Sequence, residues 1–315
     1  MSGHVLALSG GVGGAKLAAG LADVLAPGRL TVAVNTGDDF EHLGLTICPD
    51  IDSVLYTMAG LNDRQRGWGM ANETWHMMEQ LRALGDEDWF NLGDRDLATH
   101  IARTWRLRAG QSLSEVTAGM ARALGIAQAV VPMSEDPVRT QVLTPGGWSD
   151  FQRWFVGEQC GPPVSDIRFA GTPGAVMSAG LAEAMARDDL AAIVICPSNP
   201  FLSVDPMLAV DGLRQALLVR RVPCIAVSPL IGGKALKGPL SKLLAERGLS
   251  GGNLDIAAHY GPLVDHLVID RRDADDAARL REGGHAVTLA ETLMKSAKDQ
   301  ARLARDVLAA AGVEL

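Results

Sequence analysis

Cysteine is scarce in this chain: four in 315 residues, at Cys48, Cys160, Cys196 and Cys224, with no CxxC pair among them. That spacing matches neither a zinc framework nor a disulfide scaffold. Cys48 and Cys196 each close an apolar run before a proline, where a small buried side chain at the end of a strand is expected. Excess positive charge is missing too. The formal net charge is −8 and the isoelectric point about 5.4. General nucleic-acid binding is therefore a poor reading, and any polyanionic ligand must be held locally by cations, helix N-termini or a metal. No apolar run reaches the roughly 20 residues that span a bilayer. The opening MSGHVLALSGG lacks the basic region and long apolar core of a signal peptide. The expectation is a cytoplasmic chain with neither membrane nor nucleic acid as a partner.

Glycine, by contrast, is plentiful at 35 residues, and apolar residues make up 47% of the chain. This suits one large α/β domain, or one domain with a sizeable insertion. His4–Leu8, Leu30–Asn35, Ala192–Cys196, Cys224–Ser228, His266–Ile269 and Ala286–Leu289 read as strands. Helical spacing covers Lys16–Leu25, Gly174–Ala186, Asp211–Arg220, Leu240–Arg247, Ala274–Glu282 and Glu291–Ala311. A strand–helix–strand unit of this length is a right-handed crossover between parallel strands. The expected fold is α/β, a mainly parallel sheet covered on both faces. Residues 60–125 break the rhythm. Asn72–Leu84, Leu97–Ala109 and Leu113–Leu124 are successive helical patterns, the last opened by a Ser112-x-x-Glu115 capping box, and they read as a helical insertion. Over residues 126–160, Ala129–Met133, Arg139–Leu143 and Phe151–Val156 read as strands. Pro145-Gly146-Gly147 would turn the last two into a hairpin.

Five loops carry candidate chemistry. Ser9-Gly10-Gly11-Val12-Gly13-Gly14-Ala15-Lys16 follows a strand and opens a helix, where backbone N–H groups can cradle phosphate. It fits neither a Walker loop, which needs Gly-Lys-Ser/Thr, nor GxGxxG. Asn35-Thr36-Gly37-Asp38-Asp39 ends the second strand, and Ile47-Cys48-Pro49-Asp50-Ile51-Asp52 follows soon after. Carboxylates at the carboxyl ends of parallel strands face the ligand crevice, and four so close together invite a hard cation such as Mg²⁺. Helix capping by Asp50 or Asp52, and turn formation by Asp38 or Asp39, remain the structural alternative. In Leu92-Gly93-Asp94-Arg95-Asp96, Asp96 would cap the next helix and Arg95 would stand at a loop mouth, with His100 near the face of Asp96. Ile195-Cys196-Pro197-Ser198-Asn199-Pro200 holds Ser198 and Asn199 rigidly between prolines. The loop from Ser228 to Lys237 sets Lys234 and Lys237 among glycines, a local positive site for a diphosphate.

These loops, together with RGWG and NETW, MSEDPVRT, and FQRWFV, lie in order between residue 9 and about residue 240. With SGGVGGAKLAAGL, ICPDIDS, LGDRDLATH, ICPSNPFLSVDP and SPLIGGKALKGP among them, they resemble the 2-phospho-L-lactate transferase family of coenzyme F-420 biosynthesis. The resemblance implies a Rossmann-like, doubly wound core, a homodimer and Mg²⁺. It implies that a guanosine diphosphate ester of lactate, or of a related three-carbon acid, is attacked by the terminal ribityl hydroxyl of the deazaflavin Fo, with GMP leaving. Carried onto this chain, it places Asp52, Asp50 and Arg95 at the catalytic centre and Asp52, Arg95, Asp38 and Asn35 near Fo. Asp38, Asp39 and Asp50 become metal candidates. Gly10, Gly11, Val12, Gly13, Gly14, Ser198, Asn199, Ser228, Gly233 and Lys234 surround the guanosine diphosphate, and Lys16 falls where the family varies. Asp52 is the expected acceptor of the hydroxyl proton. The competing reading is a nucleotide-sugar-binding regulator of the gluconeogenesis-factor type, which leaves LGDRDLATH and ICPDIDS without a role. A nicotinamide dehydrogenase fails at the glycine loop.

Overall fold

The computed structural model describes residues 3–315. The chain opens with β1 (His4–Ser9), α1 (Gly11–Val24) and β2 (Leu30–Val34), then a short hairpin of β3 (Phe40–His42) and β4 (Leu45–Ile47). Helices α2 (Pro49–Met58), α3 (His76–Leu84), α4 (Asp94–Arg108) and α5 (Leu113–Ala123) follow. Next come β5 (Ala129–Pro132), β6 (Arg139–Thr144), β7 (Gly147–Asp150), β8 (Asp166–Ala170), α6 (Ala179–Met185) and β9 (Leu190–Ile195). The remainder runs α7 (Asp205–Leu208), α8 (Leu213–Leu218), β10 (Cys224–Val227), the small hairpin β11 (Leu230–Ile231) and β12 (Lys234–Ala235), α9 (Leu240–Glu246), α10 (Asn253–Tyr260), β13 (His266–Asp270), α11 (Ala274–Glu282), β14 (Ala286–Ala290) and α12 (Ala297–Ala310).

Seven strands form one sheet in the order β14-β13-β10-β9-β1-β2-β5, every pair parallel. This is the α/β, Rossmann-like architecture expected. Alternate residues of each strand point to opposite faces, and both faces are buried. Leu6, Leu8, Ile193 and Ile195 enter one apolar core; Val5, Ala7, Ala192 and Val194 enter the other. Two-sided burial explains why the strands read as unbroken apolar runs rather than alternating ones. On the second face, α1 and α12 contribute Leu17, Leu21, Leu303 and Val307. A Cβ on Gly20 of α1 would collide with the backbone of Gln300 in α12, so the two helices approach along a glycine.

Three expectations need correction. Phe151–Val156 is helical, running into a π-helical turn at Arg153–Gly157; Phe151, Trp154 and Phe155 fall on one helical face. β6 instead pairs with β7 and, on its other edge, with β8, both antiparallel. The strand β5 joins the edge of the central sheet beside β2 rather than that local sheet. Asp96 is not a helix cap: α4 starts two residues earlier, after Gly93. The start is set from outside, because the Glu73 carboxylate accepts from the N–H groups of Arg95 and Asp96 at 2.7 and 2.9 Å. In return the Asp94 carboxylate accepts from the N–H groups of His76 and Met77, at the start of α3. The 112–115 capping box is present.

Candidate functional site

The four strands β10, β9, β1 and β2 are neighbours, so the loops at their carboxyl ends are contiguous. Between them lies a cavity of about 720 Å³, reached by the glycine loop, the 197–203 and 228–240 loops, the start of α2 and the helical segment. That volume suits a substrate of coenzyme size. Phe90, Phe151, Phe155 and Trp68 line it, as do Lys16 and Lys237; Lys237 donates to the Arg66 carbonyl, beside Trp68.

The glycines of the first loop serve packing as well as access. A Cβ on Gly10 would meet Ser203 and Asp50, one on Gly13 would strike the carbonyl of Pro197, and one on Gly14 would lie 2.6 Å from Ser198 Oγ. The loop therefore seats on the 197–203 segment. Ser198 stitches the two together: its hydroxyl accepts from Gly10 N–H at 3.0 Å and donates to the Gly10 carbonyl at 2.8 Å. Asn199 accepts from the N–H groups of Phe201 and Leu202. Ser228 donates to Asn253, and Gly233 N–H binds Asp273. Of the expected nucleotide residues, Gly10, Gly11, Val12, Gly13, Ser198, Asn199 and Ser228 line the cavity, whereas Gly14, Gly233 and Lys234 do not. Lys16, given little weight by sequence, does line it, and its side chain donates to the Met294 carbonyl at 3.2 Å. Burial and the charge of Lys237 hold its ammonium pKa below the usual value.

At the mouth of the glycine loop stands a carboxylate pair. Asn35, wholly buried, donates through one amide nitrogen to Asp38 Oδ1 at 3.1 Å and to Asp50 Oδ2 at 2.9 Å. Asp50 Oδ1 accepts from Gly11 N–H at 2.7 Å. Burial pushes the Asp50 carboxyl up to about 6, against the hydrogen bonds from Asn35 and Gly11. Burial, and then the charge of Asp50, raise Asp38 well above the carboxylate range. Two crowded carboxylates bridged by a single amide nitrogen fit a hard cation. Asp39 parts from this pair. It lines a separate, smaller cavity with Thr36 and Arg139, and burial pushes it up to about 7 although Arg139 opposes the shift. The structure thus brings together two of the three expected metal ligands.

Asp52 points elsewhere. Residues two apart on a helix face different ways, and Asp52 meets the wholly buried Arg103 of α4, whose two terminal nitrogens bind its two oxygens. His100 lies beside them, Nδ1 at 3.3 Å from Arg103 Nη1, and Asp96 accepts from the Tyr56 hydroxyl at 2.6 Å. Asp96, His100 and Arg103 fall at helical intervals of four and three, a polar stripe visible in the sequence, yet Arg103 was missed there. The arginine expected at this centre, Arg95, is exposed and donates to the Ala71 carbonyl instead. It faces out because one residue of α4 turns it about 100° away from the stripe.

The sequence profile described as 2-phospho-L-lactate transferase CofD matches residues 5–308. The 2-phospho-L-lactate transferase of Methanosarcina acetivorans is 38% identical over 96% of this chain and 98% of its own length. The phosphoenolpyruvate transferase of Streptomyces coelicolor is 36% identical over 97% of each. Among solved structures, a UPF0052-family protein from Bacillus halodurans superposes with a TM-score of 0.63 at 15% identity, covering 98% of this chain and 99% of that one, a likeness of fold. No helix among the described residues is long and apolar enough to cross a membrane. The chain belongs to the 2-phospho-L-lactate transferase family.

Proposed function

We propose that this chain moves a three-carbon phospho-acid group, 2-phospho-L-lactate or a close relative, from a guanosine diphosphate-linked donor to the ribityl hydroxyl of Fo, in coenzyme F-420 biosynthesis. The observation that carries this reading is a single cavity lined together by buried carboxylates, a glycine-loop helix start and aromatic rings. The hydroxyl oxygen bonds to the phosphorus bearing the acid, the bond between the two phosphorus centres' bridging oxygen and that phosphorus breaks, and GMP leaves. Such transfers need positioning and charge neutralisation more than covalent help. Asp38 and Asp50 would hold Mg²⁺, which supplies neutralisation of the phosphate oxygens when bound. Val12 and Gly13, at the positive end of α1, and Lys16 face the diphosphate. The aromatic rings of the lining take the flat ring of Fo.

Asp52 is our candidate acceptor for the ribityl proton. Arg103 engages both of its oxygens, each of which keeps a second lone pair. Asp52→Asn should cut turnover far more than guanosine nucleotide binding; unchanged turnover excludes the role. Incubation of the protein with Fo, Mg²⁺ and guanosine diphosphate esters of lactate, enolpyruvate and glycerate, with mass analysis of the product, tests the whole reading. No phosphodiester from any donor would sink it, and the product mass names the acid.

A further inference from the structure

Asp52 and Tyr56 stand one turn apart on α2, and Asp96, His100 and Arg103 follow at intervals of four and three on α4, so each set falls on one helix face. The two sets meet in the wall of the main cavity, which Asp52, Tyr56, Asp96 and His100 line. All five side chains are buried. Tyr56 donates to Asp96 Oδ1 at 2.6 Å. Arg103 Nη1 donates to Asp52 Oδ2 at 3.1 Å and lies 3.3 Å from His100 Nδ1, while Nη2 engages Asp52 Oδ1. A guanidinium has donors only. His100 Nδ1 is therefore the acceptor, and the ring is neutral with its proton on Nε2. That N–H lies 3.3 Å from Asp96 Oδ1. The ring thus stands between a donor and a carboxylate, which only this tautomer suits, and neither nitrogen keeps a lone pair for an ion. Burial, then the charges of Asp52 and Asp96, raise the Tyr56 hydroxyl far above its usual range, so it remains a donor.

A chain from Tyr56 through Asp96, His100 and Arg103 therefore ends on Asp52. Its weak point is Arg103 Nη1, which has three acceptors in reach for two hydrogens: Asp52 Oδ2, His100 Nδ1 and the Thr46 carbonyl at 3.4 Å. With the His100 acceptor gone, the guanidinium is free to turn toward Thr46 and draw the Asp52 carboxylate with it. We propose that His100 is a positioning residue of the transfer, acting through Arg103 to hold the Asp52 oxygens toward the ribityl hydroxyl. This role rests on the transferase reading and on Asp52 as the proton acceptor. Misplacing a reacting group by about 1 Å costs up to about a hundredfold in rate. Other residues of the cavity bind the substrates, so the loss falls on kcat rather than KM.

Two measurements test it. The full chain, substrate-free and labelled with nitrogen-15 in its seven histidines, is examined at neutral pH by long-range proton–nitrogen correlation, the His100 signal being the one lost in His100→Asn. A bare Nδ1 and a protonated Nε2 are expected. An imidazolium, or a proton on Nδ1, overturns the proposal whether or not the protein is a transferase. Steady-state transfer to Fo is then compared in His100→Leu, His100→Asn and His100→Gln. Asparagine sets its amide oxygen where Nδ1 stands, whereas glutamine sets its amide at Nε2. His100→Leu should lower kcat at least about tenfold and change KM for Fo and donor by less than about threefold. His100→Asn should recover most of the loss and His100→Gln little of it. Wild-type kcat in folded His100→Leu, or recovery by Gln rather than Asn, overturns the role. Should His100→Leu fail to fold by circular dichroism, the comparison of Asn with Gln decides. Absence of turnover in the wild type with every donor defeats the transferase reading itself, and the role falls with it.

Discussion

Gly11 donates its backbone N–H to Asp50 at 2.7 Å, so the first amide of the phosphate-facing helix is already committed to a carboxylate of the chain itself. The glycine loop and the proposed metal corner are therefore one unit. Asp50→Asn keeps an acceptor for Gly11 but lowers the charge. It should leave the fold intact, weaken Mg²⁺ binding by at least about tenfold and slow transfer correspondingly. Calorimetric titration with Mg²⁺, compared with the thermal midpoint, checks both halves.

Lys16 and Lys234 should separate cleanly. Lys16 lines the cavity, whereas Lys234 is exposed and outside it. Lys16→Ala should weaken binding of GDP by roughly tenfold, the effect of one desolvated charge contact on phosphate, and Lys234→Ala by much less. Equal losses for the two would show that the diphosphate lies over the 232–238 loop instead.

The buried Arg103–Asp52 pair should behave as a unit in unfolding. Removing one partner strands a charge in the interior, at a cost of about 3–5 kcal/mol. Arg103→Leu and Asp52→Leu should each destabilise by that order, and the double variant by clearly less than their sum. Urea unfolding of the four proteins in the cycle gives the coupling energy directly.

Stability should also carry the mark of Asp39. Its carboxyl is raised to about 7 in the folded chain, against about 3.9 when unfolded. Between those values the folded state binds more protons, so this group's contribution declines as pH rises from about 4 to about 7. Asp39→Asn cannot ionise and escapes that decline. Its thermal midpoint relative to wild type should therefore be higher at pH 8 than at pH 5, measured without divalent cations. A difference independent of pH would refute the assignment.

Glu73 and Asp94 cap each other's helices. Glu73→Ala and Asp94→Ala should each lower stability, read from denaturant midpoints.

The central sheet was legible because its strands are buried on both faces and bounded by glycine, proline and aspartate; Ala192–Cys196 and His266–Ile269 fall within a residue or two of β9 and β13. Phe151–Val156 misled because a short apolar run carries no clear period, although its one-plus-three-plus-four spacing was helical. At the site, the loops were visible as local punctuation. Their internal partners were not: Asp50 with Gly11, and Ser198 with Gly10, join residues 39 and 188 positions apart. Arg103 was overlooked and Arg95 preferred because motif reading weighs the loop, while burial is decided by the helix face.

The glycine contact between α1 and α12 has a bearing on biosynthesis. The helix that presents the phosphate loop rests on α12, where the backbone of Gln300 crosses Gly20. That support cannot form until residue 300 has left the ribosome. Gly20 thus waits for a contact translated after every strand of the central sheet.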